Sequence, residues 1–175
     1  MVEPEMFRAA MSQVATPVVV VTALSHEGPH GTTVGAFTSL SLDPPMISVA
    51  LDRQSDLLAK LRGADRFGVN VLASDQTALA TTFSRKGLDK FASTEWRLDA
   101  GLPRLPGCAV WLVCRTFELL DGGDHVVVLG TAEHAEVDRR LPLVFHDRAF
   151  STVGTIADHV ADDVAASGPR RKAES

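Results

Sequence analysis

Short stretches of β-forming residues, separated by turn residues at close intervals, constrain the fold of this chain more than any other feature. Residues 18–21, 32–42, 46–51 and 66–72 are rich in β-branched, aromatic and other apolar side chains, which favour strands. Gly, Pro, Asp and Ser punctuate the sequence between most of these stretches, as expected of turns. The pattern predicts a series of strands joined by tight connections.

The second half of the sequence continues this pattern. Residues 109–119 and 125–137 are predicted strands, and Asp121-Gly122-Gly123-Asp124 between them is a hairpin-type connection. Residues 142–150 are predicted to be a last extended segment. Residues 84–107 contain mainly Gly, Pro and charged side chains, which predicts a long connection. Such a connection either carries function or is a solvated loop, and the residues leave both interpretations open.

Only short helices are expected. Apolar residues at helical spacing predict helices over residues 6–14, 55–61 and about 74–83, the last with Ser74 as its N-cap. These helices do not alternate regularly with the strands, as they would in a doubly wound sheet. We therefore expect a mainly β protein, a β-barrel with a few peripheral short helices.

The length of 175 residues predicts one domain. We place this domain at residues 6–154. The tail, residues 155–175, carries Ile156, Val160 and Val164 at steps of four before a basic ending. We expect the tail to be partly helical or disordered.

Composition narrows the choice of partners and location. The chain has 17 basic and 22 acidic residues, a net charge of −5, which disfavours a nucleic-acid partner. The acidic N-terminus is unlike an export signal, and the apolar runs are shorter than the ~20 residues that span a bilayer. Cys108 and Cys114 form no C-x-x-C pair, so we expect both thiols to be reduced in a cytoplasmic protein. The short apolar runs lead us to expect no membrane partner.

Familiar catalytic motifs are missing from the sequence. It contains no G-x-G-x-x-G, no P-loop, no H-E-x-x-H and no G-x-S-x-G. The six histidines show no metal-ligand spacing, so no metal site is expected. Residues 31–45 instead alternate small hydroxyl and apolar side chains. This alternation fits a half-exposed amphipathic strand, and it also fits a strand that holds a flat polar ligand.

The order of several short motifs resembles the short-chain flavin reductases, the small components of two-component flavin-dependent monooxygenases. These motifs are Phe7 to Met11, Pro17 to Thr22, Gly31 to Pro45, Ser55, Phe67 to Leu72, Phe83-Ser84, Lys90-Phe91, Gly123-Asp124-His125, Gly130 and Pro142 to Phe150. The resemblance covers residues 6–154. It implies an FMN-binding split barrel.

The resemblance also implies a set of site residues. His125 would contact the nicotinamide of NADH or NADPH. The other implied contacts would bind FMN or FAD, or line the same cavity, and they are Thr32, Thr33, Val34, Gly35, Ala36, Phe37, Ser39, Ser41, Ser55, Phe83, Ser84, Arg85, Lys86, His146, Arg148 and Phe150.

The activity implied by the resemblance is hydride transfer from NAD(P)H to FMN or FAD by a homodimer. Reduced flavin would then diffuse to a separate oxygenase. Such chemistry belongs to the cofactors, which is consistent with the missing catalytic motifs. Two alternatives remain open at this stage: a pyridoxamine-phosphate oxidase-like enzyme on the same barrel, and a non-catalytic module that binds or stores flavin.

Overall fold

A curved antiparallel sheet of seven strands forms the body of the protein in the computed structural model, which describes residues 1–87 and 89–154. The helices are α1 (Pro4–Ser12), α2 (Asp56–Leu61) and α3 (Thr77–Ser84). The strands are β1 (Thr16–Pro17), β2 (Val19–Ser25), β3 (Gly28–Val34), β4 (Phe37–Leu42), β5 (Pro45–Asp52), β6 (Arg66–Val71), β7 (Arg97–Asp99), β8 (Leu102–Arg104), β9 (Val110–Gly122), β10 (His125–Val137), β11 (Leu143–His146) and β12 (Ala149–Thr152).

The large sheet curls into an incomplete barrel. Its strand order is β3-β2-β6-β9-β10-β5-β4. β3 comes close to β5 without pairing with it, so the barrel stays open between these two strands. Two smaller sheets accompany it, β1-β11-β12 and β7-β8. The prediction of a mainly β fold with a few peripheral short helices is confirmed.

Two apolar clusters lie on opposite faces of β2. Val19 and Val21 pack in the barrel interior with residues of β5, β6, β10 and α2. Val20 belongs to the other cluster, together with Val18 just before the strand and Phe83 of α3. Successive side chains of a strand point to opposite faces. The continuous valine run therefore reflects a strand that is buried on both sides.

The predicted strand over residues 32–42 is wrong in one respect, because two strands occupy this region. β3 pairs with β2, whereas β4 pairs with β5, and the chain turns between them at Gly35 and Ala36. The Phe37 amide donates to the Gly35 carbonyl within this turn. A Cβ on Gly35 would lie 3.2 Å from Thr16 Oγ1, so the turn leaves little room for a side chain.

Other boundaries also differ from the predictions. The long connection contains the β7–β8 hairpin, which turns at Ala100 and Gly101 with positive φ angles. The last extended segment is the β11–β12 hairpin, with a left-handed turn at Asp147 and Arg148.

Helix α3 begins later than predicted, and its N-cap is Gln76 instead of Ser74. The Ser74 amide donates to the Leu141 carbonyl, which holds this residue outside the helix. The predicted tail, 155–175, lies outside the described residues.

Both cysteines are free and buried. Burial raises the pKa of the Cys108 thiol to about 12, and it raises that of the Cys114 thiol to about 12 as well. Among the described residues, none of the helices has the length and apolar character required to span a membrane.

Candidate functional site

A cavity of about 720 Å³ opens where β3 and β5 separate. The residues that line it come from β3, the end of β5, helix α2 with the turn before it, residues 84–87 and 89–91, and the start of β10. These segments are distant in sequence, and the curvature of the sheet brings them together. The volume is in the range of small-molecule and cofactor sites, roughly 300–1,000 Å³.

The edge of β3 forms one wall of this cavity. β3 pairs with β2 along one side, and within the described part of the chain no strand pairs along its other side. An edge strand presents main-chain N–H and C=O groups that lack strand partners. This wall can therefore offer both donors and acceptors to the edge of a flat polar ring.

The hydroxyl groups on β3 bind the protein itself. The hydroxyl of Thr33 donates to the Ala80 carbonyl at 2.7 Å, and that of Thr32 donates to the Phe83 carbonyl at 3.4 Å. Both acceptors lie in α3. A ligand beside β3 would therefore find these two hydroxyls already engaged, with the main chain as the accessible polar surface.

Several cations surround the cavity. Lys60 of α2 pairs with Glu27 of the β2–β3 turn. Lys86 Nζ lies 3.9 Å from an Asp52 carboxylate oxygen. Arg85 forms no ion pair with any residue in 1–87 or 89–154. The carboxylates of Glu27, Asp52, Asp56 and Asp89 line the same cavity, so Arg85 and the loosely paired Lys86 are the cations best placed to offset the charge of an anionic ligand.

Ser55 adds a hydroxyl group to the same region. It precedes α2 and lines the cavity, yet its side chain does not cap the helix. The hydroxyl is thus available to a ligand. Ser84 also lines the cavity, but its hydroxyl donates to the Thr81 carbonyl at 2.8 Å.

His125 is the first residue of β10, and it pairs in register with Asp52 of β5. Its Nδ1 lies 2.8 Å from a carboxylate oxygen of Asp124, and the side chain is 44% exposed. The hydrogen bond with His125 holds the pKa of Asp124 below its usual value. The contact orients the ring, and His125 is part of the cavity lining.

The structure gathers about half of the predicted site residues around this cavity. They are Thr32, Thr33, Val34, Ser55, Ser84, Arg85, Lys86 and His125.

The remaining predicted residues lie outside the lining of this cavity. Phe83 is buried in the core. Two of the predicted residues, Gly35 and Ala36, lie in the turn between β3 and β4. Three others, Phe37, Ser39 and Ser41, lie in β4. His146, Arg148 and Phe150 belong to the β11–β12 hairpin and its turn, and Arg148 lines a second groove beside α1.

Sequence reasoning assigned no site role to Lys90, which lines the cavity. It also assigned no site role to the four acidic residues of the lining, which are Glu27, Asp52, Asp56 and Asp89. Lys90 belongs to the Lys90-Phe91 motif, and this motif could have indicated that Lys90 lies near the site. Asp56 and Asp89 adjoin Ser55 and the Lys90-Phe91 motif. Glu27 and Asp52 belong to no motif, and only the fold brings these two to the cavity.

Comparison with known proteins agrees with this architecture. The family model for the flavin reductase like domain matches residues 11–154. A relative from Streptomyces pristinaespiralis, NADH:riboflavin 5'-phosphate oxidoreductase, is 39% identical over 156 residues, which cover 86% of this chain and 89% of the relative.

Two solved structures are also similar. One is the NADH:FAD oxidoreductase of Streptomyces globisporus C-1027 in complex with NAD and FAD fragments, with a TM-score of 0.84, 29% identity, and coverage of 90% of this chain and 99% of that chain. The other is the styrene monooxygenase flavin reductase from Pseudomonas putida S12, with a TM-score of 0.79, 31% identity, and coverage of 85% and 97%.

These matches confirm the predicted family, its split-barrel fold and the predicted class of enzyme, an oxidoreductase. The family model spans most of the chain, and the S. pristinaespiralis relative aligns over most of both proteins. This chain therefore belongs to the flavin reductase like domain family.

Proposed function

We propose that the cavity beside β3 binds FMN or FAD together with NADH or NADPH, and that the protein catalyses hydride transfer from the nicotinamide to the flavin. The observation that carries this proposal is the meeting of an unpaired strand edge, several cations and His125 around one cavity. The family and the activities named for its relatives support it.

The residues present fit a flavin nucleotide. The free edge of β3 suits the hydrogen-bonding side of a flat heterocycle. Arg85, Lys86 and the Ser55 hydroxyl suit a phosphate. When both are bound, the nicotinamide and the flavin supply the hydride donor and acceptor.

The protein's own contribution is to hold two rings in a reactive arrangement. In this proposal the β3 main chain orients the flavin, while Ser55, Ser84, Arg85 and Lys86 hold its phosphate side. His125 contacts the nicotinamide from the start of β10. No general acid, base or nucleophile is required of these side chains.

We also propose that the protein acts as a homodimer with each flavin near the subunit boundary. An exposed apolar surface, here called the α1 surface, supports this proposal. Its members are Met6, Phe7 and Met11 of α1, Val14 after this helix, and Phe145 and Phe150 of β11 and β12. Met11, Val14 and Phe145 line one groove, and the rings of Phe145 and Phe150 are in contact. Leu40 and Leu42 of β4 are exposed as well. Exposed apolar side chains that gather in one place are typical of an interface.

The dimer gives a role to the predicted residues that lie outside the cavity of their own chain. Ser39 and Ser41 share β4 with the exposed Leu40 and Leu42. His146, Arg148 and Phe150 share the β11–β12 hairpin with part of the α1 surface. In the dimer we propose, these residues approach the flavin of the second copy.

Reduced flavin leaves the enzyme in this proposal and is used by a separate flavin-dependent oxygenase. A similar protein that is named the flavin reductase of styrene monooxygenase supports this part of the proposal. We further propose a cytoplasmic location, which agrees with the two free thiols.

The function is tested by adding FMN or FAD to the protein with NADH or NADPH and following the nicotinamide absorbance. Oxidation that requires added flavin is expected. Absence of oxidation with every pair of flavin and nicotinamide would contradict the proposed activity. Fractionation of the source cells tests the proposed location.

A further inference from the structure

Lys90 lines the cavity, yet its ammonium group is bound to main-chain carbonyls of the protein. Nζ donates to the Phe83 carbonyl oxygen at 2.8 Å and to the Gly31 carbonyl oxygen at 3.0 Å. Burial lowers the pKa of Lys90, and the nearby charge of Asp56 opposes this shift. Hydrogen bonds from a charged donor are roughly twice as strong as neutral ones.

These two carbonyls belong to different elements. Phe83 is the second-last residue of α3, where carbonyls lack helical N–H partners and a cation is favourable. Gly31 lies in the middle of β3, the wall of the cavity. Lys90 therefore joins the end of a helix to the edge of the sheet.

Tight packing surrounds this junction. A Cβ on Gly31 would lie 3.0 Å from the Phe83 ring and 3.2 Å from the Phe91 ring. The two rings themselves meet edge to face, with centroids 5.0 Å apart. β3 and the end of α3 are thus in direct contact at the point where Lys90 binds both.

The main chain that carries Lys90 is also fixed. The Lys90 carbonyl accepts from the Thr94 hydroxyl at 2.7 Å, and a carboxylate oxygen of Asp89 accepts from the Phe91 amide at 3.1 Å. The ammonium group is thereby held at a defined place.

We infer that Lys90 is a positioning residue that sets the place of the phosphate-side loop, residues 84–87, relative to β3. This loop begins immediately after the Phe83 carbonyl that Lys90 binds, and it carries Ser84, Arg85 and Lys86. A loop released from β3 would present these groups at the wrong distance from a ligand held by the strand. The inference rests on the proposed placement of the flavin in this cavity.

The test compares Lys90→Met, Lys90→Arg and the control Arg62→Met. Arg62 is an exposed cation after α2 that lies outside the cavity lining. Arg62→Met therefore removes one positive charge, as Lys90→Met does, without changing the cavity. Oxidised FMN is titrated by its fluorescence, and steady-state kinetics give KM for FMN and for NADH separately.

We expect Lys90→Met to raise the Kd and the KM for FMN roughly tenfold, and to change the KM for NADH less than about twofold. Lys90→Arg keeps the charge and should restore part of the affinity. Arg62→Met should behave as wild type. General loosening of the fold would instead raise both KM values. Equal Kd values for FMN in wild type and Lys90→Met would overturn the inference.

A double variant tests whether Lys90 acts through the loop. In a background that carries both Arg85→Met and Lys86→Met, Lys90→Met should weaken FMN binding less than about threefold, because the cationic contacts that it positions are already lost. A full tenfold effect in that background would overturn the inference. If Lys90→Met does not fold, Lys90→Gln replaces it as the variant without the charge, and an FMN Kd equal to that of wild type contradicts the role.

A wrong positioning role and a wrong flavin placement give different results in these variants. If Lys86→Met weakens FMN binding and Lys90→Met does not, the positioning role alone is wrong. If neither variant changes the Kd for FMN while the enzyme still reduces flavin, the placement of the flavin is wrong and the inference falls with it.

Discussion

The Thr33 hydroxyl donates a hydrogen bond of 2.7 Å to the Ala80 carbonyl and so ties β3 to α3. Thr33→Val keeps the shape of the side chain and removes the donor. We expect the free energy of unfolding to fall by about 1 kcal/mol, the usual net value of such a bond. Chemical denaturation measures this change.

Thr32→Val is the matched control for this prediction. The Thr32 hydroxyl contacts the Phe83 carbonyl at the longer distance of 3.4 Å. A smaller loss is therefore expected. Equal losses in the free energy of unfolding would show that the shorter Thr33 hydrogen bond contributes no more to stability than the longer Thr32 contact.

His125→Ala should raise the KM for NADH or slow hydride transfer while leaving the FMN affinity nearly unchanged. The reason is the proposed contact between His125 and the nicotinamide. His134→Ala is the control, since His134 also lies on β10, is 49% exposed and has its ring nitrogen 3.0 Å from a carboxylate oxygen of Glu136. Parallel loss of FMN and NADH affinity in His125→Ala would indicate a structural role.

Lys86→Met should raise the KM for FMN by roughly tenfold, because a cation beside the phosphate is lost. Riboflavin lacks the phosphate and serves as the control substrate, so its KM should not change. A rise for both substrates would place Lys86 beside the ring and away from the phosphate. Steady-state assays with each flavin give the answer.

Phe7→Asp should weaken the homodimer, because it puts a charge in the α1 surface, where Phe7 is 57% exposed. The control is Leu98→Asp, since Leu98 is 60% exposed on the β7–β8 hairpin, outside that surface. Sedimentation at micromolar concentration distinguishes monomer from dimer. A wild-type monomer that binds flavin would contradict the dimer itself.

Stability in acid should depend on Glu136. Hydrogen bonds from Arg104 and then His134 lower the pKa of Glu136 from 4.5 to about 2. A carboxyl group with a lowered pKa in the folded state stabilises the fold above its unfolded pKa, and this contribution is lost as the pH falls through its folded value. Stability from this group should therefore decline between about pH 4.5 and pH 2.

Glu136→Gln should flatten the pH dependence of unfolding over this interval. Glu118 is exposed and forms no ion pair within residues 1–87 and 89–154, so Glu118→Gln is a suitable control. An unchanged slope for Glu136→Gln in thermal unfolding at several pH values would show that the contact with Arg104 does not persist in solution.

Much of the fold could be predicted because many of its strands and turns are determined by residues that are close in sequence. The valine run at residues 18–21 predicted a buried strand, and the Gly-rich turn at 121–124 predicted the β9–β10 hairpin. Both patterns depend on residues that are neighbours in sequence. The identity of the enzyme followed from the order of several such patterns.

The break at Gly35 could not be predicted in the same way. Hydroxyl and apolar residues alternate on both sides of it, so the strand pattern continues although the pairing partner changes from β2 to β5. Which partner a strand chooses depends on contacts distant in sequence. The contacts of Lys90 with Gly31 and Phe83 could not be predicted either, because they form only when α3 packs against β3, which is distant in sequence.

The burial of Cys108 and Cys114 affects how readily their thiols are oxidised during turnover. Free reduced flavin reacts with dioxygen, so a protein that releases it works beside a source of hydrogen peroxide. Peroxide oxidises the thiolate form of cysteine. Burial raises both pKa values to about 12, so neither thiol offers the thiolate that peroxide attacks near neutral pH.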